Sequence, residues 1–523
     1  MTMRDKRWKC FKSAALISIL FGAVITVVVM AGVSIPAHAY DLEKKVREYT
    51  LENGLRVLVV ERHFSPTVSL YIRYKVGAVD ENDDQTGTAH LLEHMLFKGT
   101  KTIGALDWER EEPILEKIRG IIKAIDRESM KGDRADREKL ETLQQHLSSL
   151  QAEARRLFKE NEIDSLYTEN GGLDMNAFTG YDQTTYFVNL PSNKIELWAR
   201  IESDRMVNPV FRDFYAERNV VIEERRQTVG SNPSRQLMED FLATAFMVHP
   251  YRRPILGWES GMRFLDIDAV RKFVTTYHGP DNTVIAVAGD VNTDEVMRII
   301  RKYFGSIPKH DTPPRHILTE STQTGERRIN LTSDANPELI IGYHKPTLPT
   351  FDDYVFDLID MILSRGRTSR LHASLVEKQQ IAAEVATANG FPAARYPNLF
   401  VFFATPRHPH TNGECEKAVY EEIDRLRNEP VPEEEIRKAK NQLKADFLRR
   451  LDSNSGLASM LSYYESIAGD YRYINNYLAS IEKISAGDII KAVNTYFTAE
   501  NRTVAHLVTK SIPSLRSAED KEE

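Results

Sequence analysis

Cysteine is almost absent from this chain, with two in 523 residues, Cys10 and Cys415. That excludes a disulfide framework, so core packing or a bound metal has to stabilise the fold. No excess of positive charge exists either. Lys and Arg number 69 against 76 Asp and Glu, a net charge of −7, which argues against nucleic acid as a partner. Only one long uncharged run occurs, Ala14 to Val33, and this excludes a multispan membrane protein. A content of 41% hydrophobic and 28% charged residues excludes a disordered chain. What is present is a globular composition on a length that calls for two or more domains.

The uncharged run reads as a targeting segment. Arg4, Lys6, Arg7, Lys9 and Lys12 precede it, and Ala37-His38-Ala39 closes it as an A-x-A cleavage signature. Residues 1–39 are therefore expected to be a signal peptide and the mature protein periplasmic, beginning at Tyr40. The run also has the ~20 residues needed to span a bilayer, so an uncleaved inner-membrane anchor is the alternative. Removing the segment takes away five positive charges and one negative (Asp5), a change of four, so −7 becomes −11.

Two distant segments resemble each other. "VRKFVTTYHGPDNTVIAVAGDV" from Val270 and "IIKAVNTYFTAENRTVAHLVTK" from Ile489 each read as helix, Tyr, Asn-containing turn and apolar strand. Two predicted strands precede a helix at both Leu51 and Glu326. The expected organisation is two copies of one α+β unit, 40–308 and 326–512, with a Pro- and Thr-rich linker at 309–325 and a charged tail at 513–523. Residues 107–162 have no counterpart. Ile114, Ile118, Ile121, Ile122 and Ile125 form one apolar stripe, and Leu140, Leu143, Leu147, Leu150, Ala154 and Leu157 a second. This predicts an inserted antiparallel helical hairpin, either a solvated arm or a docking arm.

The stretch "GTAHLLEHMLFKGT", Gly87 to Thr100, places His90, Glu93 and His94 among leucines. On a helix, His90 and His94 share a face. Buried imidazoles need partners. Zinc is one such partner, and Glu93 is placed to take a proton from a water at the metal. A pair of satisfied core histidines is the other reading. A third ligand is available on "FYAERNVVIEERRQ", where Glu217 and Glu224 are two turns apart and Val220 and Val221 are expected to face the core. One carboxylate can complete a His₂Glu site and the other can support it, unless the helix is simply a charged, wet one.

H-x-x-E-H is the inverzincin signature. Together with "MNAFTGYDQTTYFVNL", "ERNVVIEERRQ" and the duplicated halves, it makes the chain resemble the pitrilysin family of zinc metallopeptidases, which includes insulin-degrading enzyme and mitochondrial processing peptidase. The short-chain bacterial type is the best likeness. The resemblance runs from about Glu43 to Lys510, apart from the hairpin, which lengthens the gap between His94 and Glu224. It implies two α/β-sandwich halves with mixed or antiparallel sheets, and one zinc ion per chain on His90, His94 and Glu224. Glu93 would be the general base and Glu217 the helper carboxylate, with Glu223 the rival for the ligand role. Asn176, Ala177, Phe178 and Thr179 match the edge strand that accepts the substrate. Val376 and Ala383 stand where relatives tend to carry the Arg and Tyr that hold the substrate, so anchoring by the second half is expected to be weak.

The expected function is zinc-dependent endopeptidase action on peptides or unfolded segments. A homodimer, or a heterodimer with a related non-catalytic subunit, is the implied assembly. The alternative is a non-catalytic scaffold or partner subunit of a peptidase complex.

Overall fold

The computed structural model describes residues 42–510. The expected signal peptide and charged tail fall outside them. Among the described residues, no helix is long and apolar enough to cross a membrane.

Among the described residues, eleven strands build two sheets. The first sheet uses β1 (Arg47–Thr50), β2 (Arg56–Glu61), β3 (Thr67–Tyr74), β4 (Leu173–Thr179), β5 (Thr184–Pro191) and β6 (Thr283–Gly289). Its order is β1-β2-β6-β3-β5-β4. The second uses β7 (Arg327–Ser333), β8 (Glu338–Lys345), β9 (Ala382–Phe391), β10 (Asn398–Pro406) and β11 (Arg502–Thr509), in the order β7-β11-β8-β10-β9. Without β1 the two orders coincide. The senses also agree: β2 runs parallel to β6 as β7 does to β11, and β3 antiparallel to β6 as β8 does to β11. The fold is thus mixed α and β in two halves of one design. Between Phe304 and Arg327 no helix or strand is described.

Seven helices matter below: α1 (Thr88–Met95), α2 (Trp108–Ser129), α3 (Arg137–Ala154), α4 (Phe214–Arg225), α5 (Pro233–Ala245), α6 (Phe351–Ser364) and α7 (Asn454–Ile467). The apolar side chains of α1 (Leu91, Leu92 and Met95) join the first sheet in a core that includes Val57, Leu70, Ile72 and Val287. The halves also exchange helices. Helix α7, from the second half, packs on β3 and β6, while α5, from the first, packs on β7 and β11. The close approach of α5 needs Gly342, where a Cβ would lie 2.5 Å from the Phe241 ring.

Helices α2 and α3 form the hairpin. Ile114, Leu150, Ala154 and Leu157 are buried between them, with Ile118 and Ile121 packed alongside. Arg212 and Glu111, both fully buried, fasten its root with bonds of 2.6 and 2.9 Å.

Candidate metal centre

Helix α1 starts at Gly87, held at φ +89°, where a Cβ would also come within 2.4 Å of Met262 Sδ. The buried Glu81 accepts from Gly87 N at 2.9 Å and Ala89 N at 2.7 Å, setting an acid at the positive end of the helix. At 3.6 residues per turn, His90, Glu93 and His94 fall within about 100° of arc. Leu91, Leu92 and Met95 take the opposite side into the core.

Helix α4 closes the site. His94 Nδ1 lies 3.0 Å from Glu217 Oε1, and Lys98 Nζ lies 2.6 Å from Glu217 Oε2. The other ring nitrogen, His94 Nε2, faces Glu224 Oε2 at 3.6 Å, and His90 Nε2 is 4.0 Å from Glu224 Oε1. The donor atoms of His90, His94 and Glu224 all lie within 4.8 Å of one another, and among the described residues no other such group could hold a metal ion. Ligands on a tetrahedral zinc, at bonds of about 2.0–2.1 Å, sit roughly 3.4 Å apart. Two imidazoles and a carboxylate at these separations fit one such ion. Glu223 lies outside the group, its carboxylate 3.1 Å from Arg226. Val221 is buried, but Val220 is 51% exposed, against the expectation that both face the core. Adjacent helical residues point about 100° apart, and α4 turns only Val221 inward.

The electrostatics favour a cation. Burial, helped by His94, lowers the His90 pKa to about 4, so this ring is a neutral donor. Its Nδ1 is buried without a hydrogen-bond partner among the described residues. Burial alone would lower His94 as well, but Glu217, Glu224 and Glu93 outweigh it and raise its pKa. The bond to His94, then Lys98 working against burial, holds the Glu217 carboxyl at about 2. Glu93 is pushed up by burial, offset in part by Thr179, whose hydroxyl donates to Oε2 at 2.6 Å. A raised carboxyl suits a group that must take and return a proton.

Thr179 ends β4, which carries Asn176, Ala177 and Phe178 and is the outermost strand, paired among the described residues with β5 alone. An edge strand offers unpaired backbone groups to an added strand. His90, Glu93, Thr179 and Glu224 line a cavity of about 1010 Å³ together with Glu338 and Phe391 of the second half. Two supporting residues escaped the sequence reading. Lys98 stands four residues after His94, a spacing that could have suggested it. Glu81 reaches the helix start through a turn and left no short-range signal.

These features define a two-halved mixed α and β fold that carries one candidate site for a metal ion. The family model described as Insulinase (Peptidase family M16) matches residues 56–131 and 132–259, and the one described as Peptidase M16 inactive domain matches residues 265–443. The chain belongs to the pitrilysin-type peptidase family M16. Over 496 residues it is 25% identical to a Helicobacter pylori protein named zinc protease PqqE, covering 93% of this chain and 98% of that one. A crystal structure of a protease from Helicobacter pylori superposes with a TM-score of 0.74 at 24% identity, over 88% of this chain and 99% of that one. The periplasmic protease PqqL from Escherichia coli gives a TM-score of 0.67 at 16% identity, over 89% of this chain but 48% of that one.

Proposed function

We propose that this chain is a zinc-dependent endopeptidase acting on extended peptides and unfolded protein segments. One observation carries the reading. Three donors, His90, His94 and Glu224, converge on one point, while Glu93 stands beside them tied to the end of an open edge strand. A zinc ion on those donors would polarise the scissile carbonyl and acidify a water. Glu93 accepts the proton from the attacking water and returns it to the leaving amine. Glu217, kept ionised by its bond to His94 and then by Lys98, fixes the His94 tautomer so that Nε2 is the donor. Strand β4 takes the substrate backbone as an added strand, which requires an unfolded stretch.

The basic start, uncharged run and Ala37-His38-Ala39 of residues 1–39 support export to the periplasm, with an uncleaved inner-membrane anchor as the alternative. Working as a pair of chains around a chamber is part of the same reading and rests on the family resemblance alone. A scaffold role is less well supported, because a protein with no hydrolytic task has no use for Glu93 beside the donors.

Elemental analysis and a fluorogenic peptide assay on the mature chain test the reading. Glu93→Gln should keep one zinc per chain and lose at least ~10²–10⁴-fold in activity. Loss of zinc from this variant would make Glu93 a ligand and overturn the assignment.

A further inference from the structure

Away from the metal centre, a cation is buried that no carboxylate among the described residues pairs with. Arg73, on β3, is 1% exposed. Its Nε donates to Ser462 Oγ at 3.1 Å and its Nη2 to Ser459 O at 3.4 Å, both on α7. Nη1 has no hydrogen-bond partner among the described residues. The Phe178 and Tyr463 rings each lie 5.7 Å from the guanidinium carbon, and burial pulls the group's pKa down to about 10. A buried charge without a counter-ion is costly unless something comes to pair with it.

Arg73 lines a cavity of about 810 Å³ between the halves. The acids around this cavity are already engaged. Asp353 is paired with Lys345 at 2.5 Å, Asp360 with Arg365 at 2.8 Å and Asp446 with Arg449. Asp357 bonds to Asn389 and Tyr477, and burial, with Asp353 beside it, pushes its carboxyl up to about 7. The exposed Arg450 adds a further positive charge at the same cavity.

The register of the sheet connects this cavity with the edge strand. Arg73 stands opposite Thr185, and Thr185 opposite Phe178, so the three side chains share one face. Thr179, the next residue along β4, points to the other face and bonds Glu93. A peptide added outside β4 would alternate in the same way, with every second side chain on the Arg73 face. Phe178, Gln183, Tyr463, Gly390 and Ala394 line both this cavity and the one holding the metal centre, so the two adjoin.

We propose that this cavity is a substrate subsite in which Arg73 takes a carboxylate of the bound peptide, either an Asp or Glu side chain or a free C-terminus. The inference rests on the peptidase reading above. It also supplies an anchor in a chain whose Val376 and Ala383 offer no charged or hydroxyl group to the substrate.

Paired peptides that differ only by Glu or Gln, with the variable position walked along the sequence, test the side-chain source. Free and amidated C-termini test the other. The carboxylate member of one pair, Glu over Gln or the free over the amidated C-terminus, should be preferred about 10-fold or more in kcat/KM, and a preference for the uncharged member would overturn the subsite. Fluorescence anisotropy with the Glu93→Gln protein should show the same ratio in affinity. Preferential binding without any cleavage by the wild-type chain would sink the peptidase reading and leave the subsite standing. Cleavage with every ratio near one would overturn the subsite alone. Arg73→Met should bring the ratio close to one, and Arg73→Lys, which keeps the charge but not the fork, should keep part of it. A ratio unchanged in both variants refutes the role of Arg73. If circular dichroism shows Arg73→Met unfolded, the wild-type ratios and Arg73→Lys decide.

Discussion

Replacing Glu217 tests whether α4 does more than contribute Glu224. Its carboxylate makes two contacts, 3.0 Å to His94 Nδ1 and 2.6 Å to Lys98 Nζ. Gln keeps the shape and an acceptor for His94 but loses the charge, so a charge-assisted bond becomes a neutral one, and the pair with Lys98 is lost. The difference at His94 is about 1–2 kcal/mol, which is about 5–30-fold in zinc affinity. Ala leaves Nδ1 with no partner, and the loss should approach ~100-fold, the upper end for groups that support a metal-binding histidine. The order of affinity should therefore be wild type, then Glu217→Gln, then Glu217→Ala. The pH dependence has a definite sign. Glu217 raises the His94 pKa, so in acid the wild type must expel a better-held proton to bind zinc than the variants must. The gap between wild type and variant should be largest near pH 8 and shrink towards pH 6. Competition against a chromophoric chelator measures it. Equal zinc affinity for all three proteins at pH 8 would refute the idea that Glu217 orients His94.

Glu224→Gln should lose zinc while Glu223→Gln stays near wild type in metal content, and the reverse would exchange their roles. Arg212→Met strands the buried Glu111 and should cost about 3–5 kcal/mol in urea unfolding. Arg212→Met combined with Glu111→Leu should recover much of that, and a double variant as unstable as the sum of the singles would refute the pairing argument. A folded protein substrate should be spared and its denatured form cut, with equal cleavage of both at buried sites ruling out strand addition inside a chamber. Mass spectrometry of the native protein should find Tyr40 at the N-terminus, whereas an intact chain in the membrane fraction would establish the anchor.

Periodicity is local, and what depended on it was legible in the sequence. The four-residue spacing of His90 and His94 puts them on one arc of any helix, with Glu93 beside them, and the seven-residue spacing of Glu217 and Glu224 does the same on α4. The repeated helix-Tyr-turn-strand pattern disclosed two copies of one unit, since each copy must satisfy the same hydrophobic alternation. Helical spacing left open which acid of "IEE" faces the histidines. The roll of α4 against its neighbours decided that, sending Glu224 inward, Glu223 towards Arg226 and Val220 into solvent. Packing alone also brings Thr179 to Glu93 across 86 positions of chain, exchanges α5 and α7 between the sheets, and buries Arg73 between the halves. Contacts of that kind depend on how whole faces of helices and sheets meet. A spacing of three, four or seven residues carries no information about such meetings, because it describes one element at a time.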